Sequence, residues 1–285
     1  MSFRFQIEPQ RVRLDRLMRG LCWSAMVMAL VPLLSLLYLV ISKGVHRLDL
    51  DFFTHLPRPV GIPGGGMANA IVGTLELVAI ASAIGMPIGV LAGVYLSEFG
   101  DGKFATAVRF SADVLSGVPS IVTGIFAYEV MVKPMHGFSA LAGGLALGTM
   151  MVPIIARITE QVVRLVPVGL REAALALGLP RWKAIVYVAM RTAMSGIATG
   201  LLLAATRVAS ETAPLLFTAF NNQFWPSGLN QPTASLTVQI FTYAISPYEQ
   251  WRDMAWTGAL VLLMMVLLVS LISRLTMASN RPTQL

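Results

Sequence analysis

An uncharged apolar run, Leu21 to Ser42, constrains the fold of this chain more than any other feature. It matches the roughly 20 residues that a helix needs to cross the hydrocarbon core of a bilayer. It is too long for the apolar core of a cleavable signal peptide, and no obvious small-x-small cleavage site ends it. We therefore predict that this run stays in place as a membrane anchor.

Five further apolar stretches each predict a membrane-spanning helix. The composition agrees, because 56% of the residues are hydrophobic, 12% are charged and the mean hydropathy is +0.72. The predicted fold is an all-α integral membrane protein with six transmembrane helices. The later stretches are 68–96, 114–132, 138–156, 193–220 and 253–273. The second of these should be bent or broken near Pro119, because proline removes a backbone hydrogen bond and clashes with the preceding turn.

The basic residues are sorted by loop, and this sorting predicts the orientation. With six spans, 15 of the 21 Lys and Arg residues fall on the side of the termini and five on the other, with Arg207 inside a span. By the positive-inside rule both termini and the loop after the fourth span are cytoplasmic. The sorting also explains the net charge of +7, so nucleic acid is not an expected partner.

These assignments divide the chain into four parts. A cytoplasmic N-terminal segment covers 1–20, and the first transmembrane helix with a Pro- and Gly-rich extracytoplasmic loop covers 21–63. A membrane core follows at 64–275 and contains a cytoplasmic loop at 157–192. A cytoplasmic tail covers 276–285.

Glycines recur at every fourth position of the second span, at Gly85, Gly89 and Gly93. This spacing lines one helix face with hydrogen atoms and allows another helix to approach closely. The pairs Gly144 with Gly148 and Gly196 with Gly200 repeat it in later spans. The pattern predicts helix packing, and it does not separate a transporter from any other helical bundle.

The longest interruption between apolar segments on the basic side runs from Glu160 to Arg191. Within it a short helix is predicted to end at Gly178 in the left-handed conformation, and a second helix can begin at Pro180. The apolar face of the first helix consists of residues at i, i+3, i+4 and i+7, namely Leu170, Ala173, Ala174 and Leu177. Since this face lies outside the membrane core, either a protein partner or the bilayer surface must cover it.

Two charged residues lie inside the fifth predicted span, Arg207 and, four positions later, Glu211. Arg207 is about 21 Å from the start of the span at Ala193. An ionised group at that depth is costly unless it faces protein, water or an opposite charge. Two interpretations are open: a structural pair that locks helices together, or an arginine that lines a polar pathway as an anion contact. The guanidinium fork suits phosphate because it donates two parallel hydrogen bonds.

Residues for enzyme chemistry are not evident in this sequence. It contains no Gly-x-x-x-x-Gly-Lys-Ser/Thr phosphate loop, so nucleotide binding by that route is not expected. No His, Cys or carboxylate cluster has the spacing of metal ligands, and the three histidines lie outside the predicted spans. The single cysteine, Cys22, cannot form an internal disulfide. We expect neither a metal nor a cofactor.

The segment after the fourth span resembles the EAA loop of ABC importer permeases, in which this element docks on a cytosolic ATPase. The residues that carry the resemblance are Glu172, Ala173, Ala174 and Gly178. The family pattern ends in a proline where this chain has Arg191. The resemblance implies that Leu170, Glu172, Ala173, Ala174, Leu177 and Gly178 couple the chain to an ATPase, and that ATP hydrolysis occurs on that partner.

A second block, RVASETAPLLFT at 207–218, is similar to phosphate importer permeases in particular, and the likeness extends over 64–275. It adds Ser210 and Thr212 to Arg207 and Glu211 as candidate pathway residues. It implies half of a phosphate pathway in a bacterial plasma membrane, with a homologous permease in a heterodimer, two copies of a cytosolic ATPase and an extracytoplasmic phosphate-binding protein. An importer of another solute is the nearest alternative. A proton-coupled carrier and an intramembrane enzyme are more distant.

Overall fold

A computed structural model describes residues 9–62 and 64–279 of the chain, and these residues form helices, turns and loops without a β-strand. Parts of the predicted terminal segments 1–20 and 276–285, namely 1–8 and 280–285, lie outside the described residues, as does Pro63. The helices are α1 Pro9–Gly44, α2 Leu50–Thr54, α3 Ala68–Glu98, α4 Lys103–Gly117, α5 Ser120–Ala127, α6 Ala140–Arg164, α7 Val168–Ala176, α8 Arg181–Lys183, α9 Met190–Ala209, α10 Ala213–Thr218, α11 Leu236–Ala244 and α12 Glu249–Ser279. A 3₁₀ turn spans Val45–Arg47, and wider π-helical turns span Tyr128–Val132 and Ala184–Ala189.

Five helical segments of the described chain are long and apolar enough to cross a membrane, and a bent pair makes a sixth. The five are Gln10–Arg47, Ala68–Glu98, Ala140–Arg164, Arg181–Ala209 and Glu249–Ile272. The all-α membrane fold expected from the sequence is confirmed. The first helix begins well before the predicted apolar run, at Pro9.

Helices α3 and α6 pack side by side along the centre of the bundle. Gly85, Gly89 and Gly93 are buried at this contact and face Met151, Ile155 and Thr159, in that order. The residue numbers rise together on both helices, so α3 and α6 run parallel and end on the same side. A β-carbon on Gly89 would lie 2.7 Å from Ile155 Cβ, which leaves no room for a side chain. The three glycines thus allow the two backbones to approach closely.

Helix α9 packs against α6 in the opposite direction. Gly196 meets Val162, and Gly200 meets Ile158, so that rising numbers on α9 correspond to falling numbers on α6. Val208 near the end of α9 belongs to the same buried cluster as Met151 of α6. The register of the two helices therefore fixes the depth of every residue on α9 relative to α6.

The third predicted span is a bent pair of helices, and it begins earlier than predicted. Helix α4 starts at Lys103, between the predicted spans 68–96 and 114–132, and the chain bends by 101° between α4 and the helix that starts at Ser120. The bend lies at Val118 and Pro119, as the proline predicted. The start of α4 was missed because its charged residues, including Arg109 and Asp113, lower its hydropathy below that of a typical span.

The loop between the fourth and fifth spans is shorter than the predicted 157–192. Helix α6 continues to Arg164, and the next long helix begins at Arg181 and continues through Arg191 without a break. Three of the charged residues that suggested a loop, Arg157, Glu160 and Arg164, lie on α6, and both arginines pair with Glu160. Arginine at position 191 keeps the backbone amide that a proline would remove, so the helix can run straight into the membrane.

The fifth span also ends earlier than predicted, at Ala209 and not at Phe220. Ser210 to Thr212 are irregular, and α10 then starts with Pro214 in its first turn. Proline is favoured at this position because the first helical amides have no partner within the helix. The chain then returns towards the N-terminus of α6, where Ser139 N–H donates to Thr218 O at 3.0 Å.

Candidate functional site

Helix α7 is a short helix that both neighbouring turns delimit sharply. Pro167 precedes its first residue in an extended conformation, which starts the helix. At its end Gly178 has φ +82°, the left-handed conformation predicted for it. Gly178 N–H donates to Leu175 O at 2.9 Å and Leu179 N–H donates to Ala174 O at 3.2 Å. These two bonds form a Schellman motif and satisfy the last carbonyls of the helix.

The sequence-predicted apolar face of α7 is divided by the structure. Ala174 is buried at 6% exposure and faces the rest of the chain, whereas Leu177 is 82% exposed and Leu170 and Ala173 are also exposed. Glu172 is exposed beside them. Helix α7 therefore presents apolar side chains outward with no cover from the described part of this chain.

Polar contacts from Arg171 hold α7 against the ends of two long helices. Its guanidinium donates to Val163 O, near the end of α6, at 2.7 Å. The same nitrogen lies 3.1 Å from Glu98 Oε1, at the end of α3. Beyond α7, Arg181 donates to the backbone oxygen of Glu98 at 3.1 Å. The last residue of α3 is thus contacted from both sides of the α7 segment.

A buried carboxylate next to this region was missed by sequence reasoning. Glu160, only 3% exposed, pairs with Arg109 at 2.7 Å, Arg164 at 2.9 Å and Arg157 at 3.2 Å. Arg157 also pairs with Asp113 of α4 at 2.9 Å. Because Arg157, Glu160 and Arg164 are spaced by three and four residues, helical periodicity would have placed them on one face. The assignment of these residues to a loop hid that signal.

The structure does not place Arg207 and Glu211 on one helix face. Arg207 lies in the last turn of α9, whereas Glu211 follows the end of that helix and donates its backbone N–H to Val208 O. Among the described residues no ion pair joins the two side chains. Arg207 is exposed, so it is not a partner in a buried lock between helices. The structural pair left open by the sequence is therefore not formed.

Helix register places Arg207 near the middle of the bundle along its long axis. Since Gly200 meets Ile158 on the antiparallel α6, Arg207 is level with Met151. Met151 lies about 16 Å along α6 from its start at Ala140. That distance is near the middle of the helix. An exposed arginine at this depth must face water or a neighbouring protein surface.

The bend between α4 and α5 lies at about the same depth. Arg109 and Asp113 of α4 contact Glu160 and Arg157 of α6, so α4 also runs antiparallel to α6 and its end is level with about Pro153. Two interrupted helices thus have their irregular residues in one layer. Backbone of this kind is tolerated within a membrane where it is buried in protein or lines a water-filled cavity.

The two short helices that follow these interruptions pack against each other. Gly124 of α5 lies so close to α10 that a β-carbon on it would be 2.7 Å from Pro214 Cα. Thr237 Oγ1 donates to Glu211 O at 2.9 Å and fixes the irregular segment from the side of α11. The interruption after α9 is thus held by α5 and α11.

Ser210 and Thr212 line a cavity of about 440 Å³ beside the interruption. The remaining lining is almost entirely apolar and comes mainly from α1, α11 and α12, namely Leu33, Leu36, Leu37, Val40, Thr237, Ile240, Ala259, Leu262, Leu263 and Val266. The two hydroxyl residues therefore face an apolar space. Arg207 does not line this cavity.

Within the described ranges, no group of three or more His, Cys, Asp or Glu side chains is arranged to hold a metal ion. The arrangement consists of an outward-facing α7 and a layer of interrupted helix with an exposed arginine.

Comparison with known proteins gives a consistent family. The family described as "Binding-protein-dependent transport system inner membrane component" matches residues 85–282. A Yersinia pestis protein named "Phosphate transport system permease protein PstA" is 42% identical over 282 residues, covering 99% of this chain and 96% of that protein. A Xylella fastidiosa protein of the same name is 48% identical over 244 residues, covering 85% of each chain.

Solved structures share the fold at low sequence identity. A chain of the inward-facing MetNI methionine ABC transporter superposes with a TM-score of 0.64 at 17% identity, covering 76% of this chain and 98% of that one. A chain of a bacterial ABC transporter for alginate import superposes with a TM-score of 0.68 at 12% identity, covering 96% of this chain and 99% of that one. At these identities the likeness shows the fold alone.

Proposed function

This chain belongs to the family of binding-protein-dependent transport system inner membrane components, and on that premise we propose that it conducts inorganic phosphate past Arg207 while α7 couples it to an ATPase. It is a permease subunit of an ABC importer, and its relatives are phosphate transport permeases. The observation that supports phosphate as the substrate is the 42% sequence identity to such a permease, in an alignment that covers 99% of the chain.

Coupling occurs through α7. This coupling helix presents Leu170, Glu172, Ala173 and Leu177 outward, and a groove on the ATPase covers them. The left-handed Gly178 turns the chain back towards the membrane immediately after the helix. Movement of the ATPase then displaces α7 and switches the pathway between its outward and inward openings.

Phosphate passes through the layer of interrupted helices at mid-depth. Arg207 is exposed there without an ion-pair partner among the described residues, so its guanidinium is available for two parallel hydrogen bonds to an oxyanion. Sites of this kind near the bilayer midplane are often formed by discontinuous helices. Glu211, Ser210 and Thr212 shape the irregular segment beside it.

The family implies an assembly with a second permease subunit, an ATPase and a binding protein in the inner membrane. We assign a homologous permease as the heterodimer partner, two copies of a cytosolic ATPase and an extracytoplasmic phosphate-binding protein. The distribution of Lys and Arg supports cytoplasmic termini.

The proposal is tested by uptake of labelled phosphate at limiting external phosphate, in cells that lack this chain and carry it on a plasmid. Wild type should restore uptake. Arg207→Gln should reduce uptake by about tenfold or more, because loss of charge-assisted hydrogen bonds costs roughly 1.5–3 kcal/mol. Arg191→Gln is the matched control, since this exposed arginine lies on the same helix at the opposite end.

The outcomes distinguish the assignment of phosphate as substrate from the assignment of Arg207 to the pathway. If wild type restored no phosphate uptake, or if excess sulfate competed as well as phosphate, the substrate assignment would be wrong. Equal uptake by wild type and a membrane-inserted Arg207→Gln would remove Arg207 from the pathway while leaving the permease function intact.

A further inference from the structure

The coupling helix has two kinds of connection to the membrane helices. It packs against the π-helical turn Ala184–Ala189 of the next long helix, although within α7 only Ala174 is buried. Arg171 adds polar contacts to Glu98 at the end of α3 and to Val163 O near the end of α6. A force applied to α7 from outside can therefore reach α3 and α6 through Arg171, besides reaching the next helix through Ala184–Ala189.

The end of α3 and the turn after it receive polar contacts from α4, α6 and α8. Arg109 of α4 donates to Leu96 O at 2.9 Å and to Gly100 O at 2.8 Å, and Arg164 of α6 donates to Leu96 O at 3.3 Å. Arg181 donates to Glu98 O and places its guanidinium 4.7 Å from the centre of the Phe99 ring. These contacts use backbone or ring atoms of Leu96 to Gly100. Among the described residues, Glu98 is the one that forms an ion pair with the coupling helix.

The Arg171 and Glu98 pair is shielded from water but incompletely formed. The side chains are 22% and 8% exposed, so their attraction is screened less than that of a surface pair. Glu98 Oε1 and Arg171 Nε have no aligned hydrogen bond among the described residues, although Oε1 is in ionic contact with the guanidinium. A small displacement of α7 could therefore align the pair into a two-point contact or separate it.

We propose that the Arg171 and Glu98 ion pair transmits the displacement of the coupling helix to α3, so that Glu98 is a positioning residue for transport. This inference rests on the proposed function. Because α3 is packed against α6 along its glycines, a displacement at Glu98 reaches the layer where the other helices are interrupted. ATP hydrolysis itself needs only the ATPase, so loss of the pair should separate hydrolysis from import.

The test uses the full complex of this chain, the second permease and the ATPase in proteoliposomes with saturating binding protein and phosphate. Phosphate imported per ATP hydrolysed is measured for wild type and for Glu98→Gln, which keeps the size of the side chain. We expect the ratio to fall by about fivefold or more, a typical coupling between two sites, while the rate of hydrolysis stays within about twofold of wild type. Asp101→Asn, an exposed carboxylate in the same turn, should leave the ratio unchanged.

Exchanging the two charges provides a second test of the ion pair. Glu98→Arg combined with Arg171→Glu should recover part of the ratio that each single change loses, because the exchange restores the ion pair. A wild-type ratio in Glu98→Gln would overturn the inference, and so would a complex that loses import and hydrolysis in parallel. A wild-type complex that hydrolyses ATP but imports no phosphate would instead overturn the proposed function.

Discussion

At the scale of single residues, the buried carboxylate of Glu160 is neutralised by ion pairs with arginine side chains. Glu160 lies between three arginines from α4 and α6, and its own side chain is almost fully buried. Removing one member of a buried ion pair leaves uncompensated charge, which is far more costly than losing a surface pair. Glu160 therefore stabilises the end of the bundle at which α3 and α6 both end.

We predict that Glu160→Gln destabilises the purified permease by about 3 kcal/mol, at the low end for a buried pair because Arg157 and Arg164 are partly exposed. Unfolding titrations with a denaturing detergent measure this change. Asp113→Asn is the control, because Asp113 also pairs with Arg157 but is 56% exposed. Its effect should stay below about 1 kcal/mol. Equal losses in both variants would contradict the role of burial.

The same residue shows what the sequence could and could not predict. The spans in α3 and α12 were located because long apolar runs leave few alternatives in a membrane protein. The end of α6 was misplaced because charge was taken as a sign of loop, whereas Glu160 and its arginines neutralise one another on helix. The break after Ala209 was missed, although Pro214 carried a signal for a new helix start.

At the scale of helices, close approach decides the packing of α3 on α6. We predict that Gly89→Ala destabilises the folded permease by about 1–3 kcal/mol, the usual cost of overpacking, because its new methyl group would overlap Ile155. The thermal midpoint in detergent and the amount in the membrane measure the effect. Gly20→Ala in α1 is the control, since a β-carbon there meets nothing within 4 Å. Comparable losses in the two variants would show that helical glycine itself, and not the contact, matters.

At the scale of the whole molecule, the basic residues around the ends of α3, α6 and α7 predict that these ends lie in the cytoplasm. The prediction can be tested in a Cys22→Ser background, because Cys22 is the only cysteine of the chain. Leu177→Cys, 82% exposed, should react with an impermeant maleimide only in inverted vesicles from cells that lack the ATPase, because the ATPase would otherwise cover it. Leu50→Cys, 81% exposed, should react only in spheroplasts. The reverse pattern would invert the assigned topology.

The parallel pair of α3 and α6 has a mechanical consequence. Two helices whose backbones touch over three successive glycines cannot slide or bend separately, so they act as one stiff beam about 37 Å long. Helix α7 contacts one end of this pair, at Glu98 and Val163, and the interrupted helices lie beside its middle. A tilt applied at this end therefore also displaces the middle of the pair. Stiffness in α3 and α6 leaves the interrupted helices as the parts that must yield.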